Sequence, residues 1–255
     1  MPEQRGAMRL QAGTAKSYAI IGGSGFHELG ANASKQALDT PFGPPSDSVS
    51  ELEIGASRVC FLARHGAEHS IAPHEINYRA NMAALKQLGV DSIIALNTVG
   101  VIPATPAPGS LALPAQLIDY TWGRAQTVHG SGVDDVVHVD FTEPFSASLR
   151  KALLDCALQS GLDCFDGGVY ACTQGPRLET AAEIDRLERD GAHFVGMTAM
   201  PEAVLARELD MDYVCLCLIV NYGAGRSARG IHEDIEITLH ETRQKAMRLL
   251  NCFFA

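Results

Sequence analysis

The stretch Ser17-Tyr-Ala-Ile-Ile-Gly-Gly-Ser-Gly25 decides the fold of this chain. Its first five residues form a short, mainly apolar run, and the glycines that follow Ile21 stop it. An apolar run closed by a glycine-rich loop is typical of a buried strand that feeds a loop. Residues 59–63 repeat the pattern and end in Arg64-His65-Gly66. The sequence therefore predicts two buried strands, each followed by a functional loop.

Strand and helix patterns alternate along the rest of the chain. Strands are predicted at 90–96, 169–173 and 213–220, and helices at 77–88, 178–189, 202–209 and 235–253. Residues 103–114 are rich in proline and predict loop or edge structure. Alternating strands and helices indicate an α/β fold with a parallel or mixed sheet. Without repeats or long linkers, residues 1–255 are expected to form one domain, with 1–16 as a disordered N-terminal extension.

Composition excludes several classes of protein. Of the 255 residues, 46% are hydrophobic and 20% are charged, which supports a large core and argues against general disorder. Twenty basic against thirty acidic residues give a net charge of −10, so a general nucleic-acid or anionic-membrane surface is not expected. The longest apolar stretch, 214–220, is far shorter than the roughly 20 residues that span a bilayer.

The cysteines and the N-terminus point to the cytosol. No apolar run in the first sixteen residues is long enough for a signal peptide. Seven cysteines are spread widely and form no CxxC pair, so buried free thiols are expected instead of a disulfide framework. A cytoplasmic protein is the resulting prediction.

Polar side chains follow the predicted strands. Ligands of open α/β sheets bind at the carboxyl ends of the strands, so these residues predict a pocket. Arginine and histidine at a strand end supply donors for an oxyanion, and arginine can contact phosphate at two points. The alternative interpretation of Arg64 is a solvated surface arginine. The polar residues are Ser24, Arg64, His65, Asn97, Thr98 and Asn221.

Common catalytic and cofactor motifs are missing. Glu28 stands where a dinucleotide fingerprint needs its third glycine, and no Lys-Ser/Thr pair completes a P-loop. Phe26 stands where a serine nucleophile elbow needs glycine. A loop that holds one phosphate through Ser24 and backbone amides remains open, beside a plain tight turn.

Metal and thiol chemistry are also not expected. His65, His69 and His74 fit no metal-ligand spacing, so solvated loop histidines are the simpler interpretation and no metal is expected. Cys172 follows an apolar strand pattern, which favours a packed thiol over a nucleophile.

Five segments, in this order, resemble the purine nucleoside phosphorylase and methylthioadenosine phosphorylase family. The resemblance runs from Ala19 to the last helix, and residues 117–121 and 168–180 are most similar to its S-methyl-5′-thioinosine phosphorylase branch. It implies a three-layer α/β fold whose central mixed sheet is flanked by helices. The segments are Ile20-Ile-Gly-Gly-Ser-Gly25, Ala63-Arg-His-Gly66, Asn77-Tyr-Arg-Ala-Asn81, Gln174-Gly-Pro-Arg177 and Gly196-Met-Thr-Ala-Met-Pro-Glu202.

The resemblance implies phosphorolysis in purine salvage, with inorganic phosphate as co-substrate and no cofactor. Phosphate would attack the anomeric carbon of the sugar and release a free purine. Asn221, Arg64 and His65 would be catalytic, by positioning and electrostatic support of an oxocarbenium-like sugar. Met197 would lie against the ribose, with Tyr222 and Gly223 beside the substrate. The implied phosphate contacts are Ser24, Arg64, His65, Asn97, Thr98 and Thr198.

Two positions indicate the base. The relative that cleaves adenine nucleosides has aspartate in place of Asn221, whereas an asparagine amide can donate to a 6-oxo oxygen and accept from N7–H. Glu179 falls where the 6-oxopurine enzymes have a glutamate, which accepts the N1 proton that adenine lacks. The structural alternative for Glu179 is a carboxylate favoured by a helix N-terminus. Hypoxanthine or guanine is the predicted base.

The 5′ end of the substrate and the assembly state stay open between alternatives. His138 resembles the segment that reaches the 5′ group across a subunit interface, in a homotrimer or a dimer of trimers. His232 lies near the histidine that contacts a 5′-hydroxyl in inosine and guanosine phosphorylases, whereas the overall similarity favours 5′-methylthioinosine. A hydrolytic nucleosidase and a non-catalytic nucleotide-binding module are the competing classes.

Overall fold

A computed structural model describes residues 16–31, 33–130 and 136–255. The predicted N-terminal extension lies outside the described residues except for Lys16, which is held in place by an ion pair of 2.7 Å with Asp212. The described elements are β1 (Tyr18–Gly22), a short 3-10 helix (His27–Gly30), β2 (Ser34–Gln36), β3 (Val49–Ile54), β4 (Ser57–Ala63), α1 (Tyr78–Gln87), β5 (Ser92–Val101), β6 (Leu111–Leu113), β7 (Gln116–Asp119), α2 (Ala147–Gln159), β8 (Cys164–Asp166), β9 (Val169–Cys172), α3 (Ala181–Arg189), β10 (Phe194–Gly196), α4 (Ala199–Glu208), β11 (Asp212–Tyr222) and α5 (Ile231–Phe253).

The strands form one mixed sheet, which confirms the predicted fold class. Its main path runs β2-β3-β4-β1-β5-β10-β9-β7, while β11 pairs with β5 and β6, and β6 also pairs with β8. The strands β1, β4, β5 and β11 are parallel, whereas β10 is antiparallel to β5. The prediction of a single domain agrees with this continuous sheet and stays a prediction.

Strand β5 creates an opening in the sheet. On one side it pairs with β11 along nearly its whole length. On the other side it pairs with β1 up to Ala95 and with β10 from Gly100. Among the described strands, none pairs with β5 on that side between these two points, and Asn97 and Thr98 lie there. The sheet therefore opens at the position where an α/β fold places its ligand.

Helices cover both faces of the sheet. In β1, Ala19 and Ile21 face the core that contains α1 and α4, whereas Ile20 faces the core that contains α2 and α5. This alternation follows from the two-residue period of a strand. Ile184 and Leu187 of α3 form a third, smaller cluster with β9 and β10. The result is three layers, as the resemblance implied. No helix among the described residues is long and apolar enough to cross a membrane.

Most predicted elements are confirmed, with shifted ends. Strand β5 runs beyond residue 96, so Asn97 and Thr98 lie inside it, and α5 begins four residues before the predicted start. Helix α3 starts at Ala181 because Thr180 caps it and makes a capping box with Glu183. Strand β6 lies within the proline-rich segment 103–114 and pairs with β11 on one side and β8 on the other, so the prediction of loop or edge structure is wrong for residues 111–113. The sequence analysis missed α2, although Ser146 provides its N-cap, and it missed the short strands β2, β3, β7, β8 and β10.

Candidate active site

A cavity of about 340 Å³ lies at the opening of the sheet. It brings together residues from the ends of β1, β4, β5 and β11 and from the loops before α3 and α4. Most of the predicted site residues therefore meet in one place, although they are spread over 200 positions of sequence. The predicted residues that line it are Ser24, Arg64, His65, Asn97, Thr98, Glu179, Met197, Thr198, Asn221 and Gly223.

Three predicted residues do not line this cavity. Tyr222 packs against the larger core cluster, and the side chain of His138 is exposed. His232, on the first turn of α5, is also exposed, while Ile231 and Ile235 of the same helix line the cavity. Residues four apart share a helix face and the next residue is turned away, so the helix presents isoleucine to the cavity in place of histidine.

Arg64 is not a surface arginine: it is fully buried beside Glu202. Its Nε and Nη2 atoms donate to the two carboxylate oxygens of Glu202 at 2.5 and 3.0 Å. Tyr213 donates to the same carboxylate at 2.9 Å. Burial alone would lower the pKa of Arg64, but the charge and hydrogen bonds of Glu202 outweigh it and raise that pKa. The two-point contact expected for phosphate is thus made with Glu202, whose carboxylate balances the Arg64 charge at the cavity wall.

Arg64 also binds β5 at the opening in the sheet. Its Nη1 atom donates to the carbonyl of Leu96 at 2.9 Å, at a point where β5 lacks a strand partner on that side. A Cβ atom on Gly23 would lie 2.7 Å from this carbonyl and 2.8 Å from Nη1 of Arg64. Glycine at position 23 is therefore required for the close approach of the loop to β5.

Asn97 links the arginine to the start of α4. Its Nδ2 atom donates to the hydroxyl of Thr198 at 2.8 Å, and its Oδ1 atom accepts a long contact of 3.5 Å from Arg64. Because the Thr198 oxygen accepts from Asn97, its own proton is available to an anion in the cavity. Across the cavity, the hydroxyl of Ser24 lies 3.3 Å from Nε2 of His69.

His65 is neutral and has a defined tautomer. Its Nδ1 atom lies 2.8 Å from the carbonyl of Ile71. A carbonyl only accepts, so Nδ1 carries the proton and Nε2 is left as an acceptor. Burial and the neighbouring Arg64 charge lower the pKa of His65 to about 4. The ring therefore accepts a hydrogen bond at Nε2 at neutral pH, whereas the sequence analysis expected His65 to donate to an oxyanion; Nδ1, which carries the proton, is taken by the carbonyl of Ile71.

Glu179 and Asn221, which also line the cavity, are both held by neighbours. The hydroxyl of Thr173 donates to Oε1 of Glu179 at 2.7 Å. Asn221 follows a register shift in β11 and pairs with Gly100. Such bulges redirect side chains. Its Nδ2 atom donates to the carbonyl of Tyr222 at 2.7 Å, which leaves Oδ1 and one N–H for a ligand.

Cys172 of β9 is packed in the core. Cys172 is buried, and burial raises the pKa of its thiol to about 12, so the interpretation as a packed thiol is confirmed. All seven cysteines are free thiols. Among the residues that the structure describes, no three His, Cys, Asp or Glu side chains are grouped to hold a metal ion.

Sequence reasoning missed several functional residues. Glu202 was visible only as the last residue of a quoted motif, and nothing local showed that it would meet Arg64, 138 positions away. His69 was set aside with the loop histidines, but it lines the cavity. Thr173 was considered only as the last residue of the predicted strand at 169–173. Ile231 lay before the predicted start of its helix.

Comparisons with known proteins agree with this geometry. Residues 17–255 match the family model described as the phosphorylase superfamily. A probable S-methyl-5′-thioinosine phosphorylase of Pseudomonas syringae is 50% identical over 236 residues, covering 91% of this chain and 96% of the relative. A 6-oxopurine nucleoside phosphorylase of Pyrococcus furiosus is 41% identical over 239 residues, covering 91% and 89%.

A solved structure shares the fold. Methylthioadenosine phosphorylase of Schistosoma mansoni, in complex with adenine, superposes with a TM-score of 0.85 at 30% identity, covering 94% of this chain and 91% of that one. Together with the match over residues 17–255, this similarity shows that the chain belongs to the phosphorylase superfamily and is a phosphorylase enzyme.

Proposed function

We propose that this phosphorylase cleaves 6-oxopurine nucleosides, with S-methyl-5′-thioinosine as its preferred substrate. The products are hypoxanthine and 5-methylthioribose 1-phosphate, and phosphate is the co-substrate. The proposal rests on two features of the cavity lining. Glu179 and Asn221 are its polar part, and Ile231 and Ile235 are its apolar part. The names of the relatives from Pseudomonas syringae and Pyrococcus furiosus point to the same substrate class.

The base end of the cavity matches a 6-oxopurine. The carboxylate of Glu179 accepts the N1 proton of hypoxanthine, and Asn221 donates to O6 and accepts from N7–H. Adenine has a bare acceptor at N1, which would leave Oε2 of the carboxylate without a donor. An unpaired buried polar group discriminates strongly between substrates, so adenine nucleosides are poor substrates.

The wall formed by Ile231 and Ile235 supports a 5′-methylthio group. A methylthio group is apolar and packs against isoleucine, whereas a 5′-hydroxyl needs a polar partner. His232, the residue that favoured inosine or guanosine, is exposed and lies outside the cavity lining. We therefore rank an ordinary inosine or guanosine phosphorylase second.

The reaction proceeds by a single displacement. A phosphate oxygen forms a bond to C1′ while the C1′–N9 bond breaks. The electron pair of the C1′–N9 bond leaves with the base. As the C1′–N9 bond breaks, N7 of the base takes up a proton from solvent, and Oδ1 of Asn221 accepts a hydrogen bond from the resulting N7–H. Phosphate binds near Ser24, Thr198 and Arg64, whose O–H and N–H groups donate to it. The negative charge of the bound phosphate supports the oxocarbenium-like sugar between phosphate and base. The acceptor Nε2 of His65 takes a hydrogen bond from a protonated phosphate oxygen.

We further propose a homotrimer in which His138 of each chain reaches the 5′ end of a neighbouring site. Val136 and Val137 beside it are 60% and 48% exposed, and Trp122 is 72% exposed, which is consistent with a surface that a second copy covers. Light scattering distinguishes a monomer, a trimer and a dimer of trimers. A fully active monomer at assay concentration would contradict the trimer.

The cytoplasmic location is also part of this proposal, supported by seven free cysteines.

A substrate panel tests the function. Base release is measured from methylthioinosine, methylthioadenosine, inosine, guanosine and adenosine, each with phosphate present and absent. We expect the highest kcat/KM for methylthioinosine and no release without phosphate. Equal release without phosphate would indicate a hydrolytic nucleosidase, and no turnover of any substrate would indicate a binding module.

The 5′ preference is tested separately by Ile235→Ser. Removing apolar contact should lower kcat/KM for methylthioinosine by about 10-fold or more, while inosine is affected much less. The matched control is Ile237→Ser on the same helix, because Ile237 is 56% exposed and outside the cavity. Equal losses for both nucleosides would refute the assignment of the apolar wall to the 5′ group.

A further inference from the structure

We infer that Arg124 is a positioning residue for phosphorolysis. Its side chain holds the loop that carries Glu179 against the segment that carries Met197 and Thr198. The activity part of this inference rests on the proposed function. Arg124 does not line the cavity, so it acts through the residues that it holds. Neither the motifs nor the implied site residues included it.

The guanidinium of Arg124 lies among backbone carbonyls from both segments. Its Nη2 atom lies 2.9 Å from the carbonyl oxygen of Gln174 and 3.4 Å from that of Thr173. Its Nη1 atom lies 2.8 Å from the carbonyl oxygen of Met197 and 2.6 Å from that of Met200. One side chain therefore contacts four carbonyls on two segments that are more than twenty residues apart in sequence.

The side chain itself is held from a third segment. Its Nη1 atom lies 3.2 Å from the hydroxyl of Tyr78, and the guanidinium carbon lies 5.4 Å from the centre of the Tyr78 ring. Trp122, two residues earlier, donates its backbone N–H to the side chain of Gln174 at 3.1 Å. The segment around Arg124 is thus attached to the Gln174 loop at two points, which limits where the guanidinium can lie.

These carbonyls border the reacting groups. Thr173 holds Glu179 through its hydroxyl, so a shift of its backbone moves the group that contacts N1 of the base. Met197 lines the cavity, and Thr198 follows it directly with its hydroxyl in the phosphate region. A direct backbone link between the two segments is the bond from the Thr173 N–H to the carbonyl of Gly196 at 2.8 Å. Arg124 adds the contacts that set their spacing.

Arginine suits this position better than lysine. The planar guanidinium presents donors in a fixed fork that can satisfy several carbonyls at once, whereas an ammonium is a compact point charge. Without the guanidinium, carbonyls on both segments lose a donor, and for the buried Met200 this loss is costly. The expected result is a displacement of the base-binding and phosphate-binding halves relative to each other.

The test compares Arg124→Ala and Arg124→Lys with a matched control, Arg150→Ala. Arg150 is also a half-buried arginine that donates to a backbone carbonyl, that of Leu113, but it lies outside the cavity lining. Because misplacement by about 1 Å costs about 100-fold, we expect Arg124→Ala to lose about 100-fold in kcat/KM for methylthioinosine, mainly through kcat. Arg124→Lys should fall between Arg124→Ala and the wild type, and added guanidinium ion should restore at least part of the Arg124→Ala loss.

Hydrogen exchange gives a readout that does not depend on turnover. The N–H of Thr173 should exchange about tenfold faster in Arg124→Ala than in the wild type, because local opening there becomes easier. It should be unchanged in Arg150→Ala. If the wild type releases no base from any nucleoside, the proposed function fails, and this exchange measurement alone decides the inference.

Three results would overturn the inference. One is an Arg124→Ala variant whose kcat/KM stays within about twofold of the wild type, as for an ordinary surface substitution. Another is an equal loss in Arg150→Ala, which would show a general effect of lost stability. The last is a hydrogen-exchange rate of the Thr173 N–H that is the same in Arg124→Ala as in the wild type. If Arg124→Ala does not fold, the same comparisons are made with Arg124→Lys.

Discussion

The hydroxyl of Thr173 lies 2.7 Å from Oε1 of Glu179, and this contact sets the direction of the carboxylate that lines the base end of the cavity. The same hydroxyl also lies 3.3 Å from the carbonyl oxygen of Gly196. Its single proton serves one acceptor at a time, and the shorter contact to the charged group is the stronger. Glu179 is therefore oriented before a ligand arrives, and Oε2 is the oxygen that the proposed function assigns to the N1 proton.

Thr173→Val keeps the shape of this side chain and removes the hydroxyl. We expect kcat/KM for 6-oxopurine nucleosides to fall about tenfold, because a hydrogen bond to a charged group contributes about 1.5–3 kcal/mol and part of it is replaced by water. Thr173→Ser, which keeps the hydroxyl, is the matched control and should retain most of the activity. Steady-state kinetics of both variants on methylthioinosine measure the difference. Equal activity in the two variants would show that Glu179 needs no such partner.

Asn221→Asp tests the choice of base. An aspartate cannot donate to O6 and places a negative charge against it, so cleavage of 6-oxopurine substrates should lose about 2–4 kcal/mol of transition-state stabilisation. Adenine nucleosides should gain relative to hypoxanthine ones, and Glu179→Ser in the same chain should increase that gain.

The measurement for Asn221→Asp is the ratio of kcat/KM for methylthioinosine to that for methylthioadenosine in the wild type, each single variant and the double variant. Non-additive effects would show that the two residues contact one ring together. A wild type that prefers the adenine substrate, or a ratio that Asn221→Asp leaves unmoved, would refute the assignment of the base.

Glu202→Gln tests the buried ion pair with Arg64. Both side chains are at most 1% exposed, so loss of the carboxylate leaves a guanidinium charge buried without its counter-charge. We expect the free energy of unfolding to fall by about 3–5 kcal/mol in urea denaturation. The control is Glu188→Gln, because Glu188 pairs with Arg226 at the surface and is 54% exposed; its effect should stay within about 1 kcal/mol. A Glu202→Gln protein as stable as this control would mean that solvent reaches the pair.

His65 predicts a pH dependence of stability. Its pKa of about 4 in the folded chain lies below the ordinary value of 6.5, so the unfolded chain binds more protons between these two values. Stability contributed by this residue is therefore present above pH 6.5 and is lost as pH falls towards 4, by up to about 3 kcal/mol. Unfolding of the wild type and His65→Asn, followed from pH 7 to pH 4, should show a shallower fall in the variant. Parallel curves would contradict the lowered pKa.

The sequence by itself determined where the site would lie and what kind of chemistry it would hold. Apolar runs that stop at Ile21 and Ala63 marked buried strands, and the polar residues after them marked one edge of a sheet. These signals are local, because burial of a strand and the need of a tight loop for glycine depend on neighbouring residues. The order of five short motifs indicated the family, and that resemblance together with hydrogen-bond chemistry predicted Glu179 and Asn221 as the base-contacting pair.

Only the tertiary structure decided which groups these residues meet. Arg64 was expected to bind phosphate at two points, but its partner Glu202 lies 138 positions away and arrives with another helix. The register shift that directs Asn221, and the face of α5 that presents Ile235 instead of His232, depend on pairing and packing between distant segments. Sequence periodicity shows which side chains are buried. It does not show which distant group satisfies a buried charge, because that choice is made when the layers pack together.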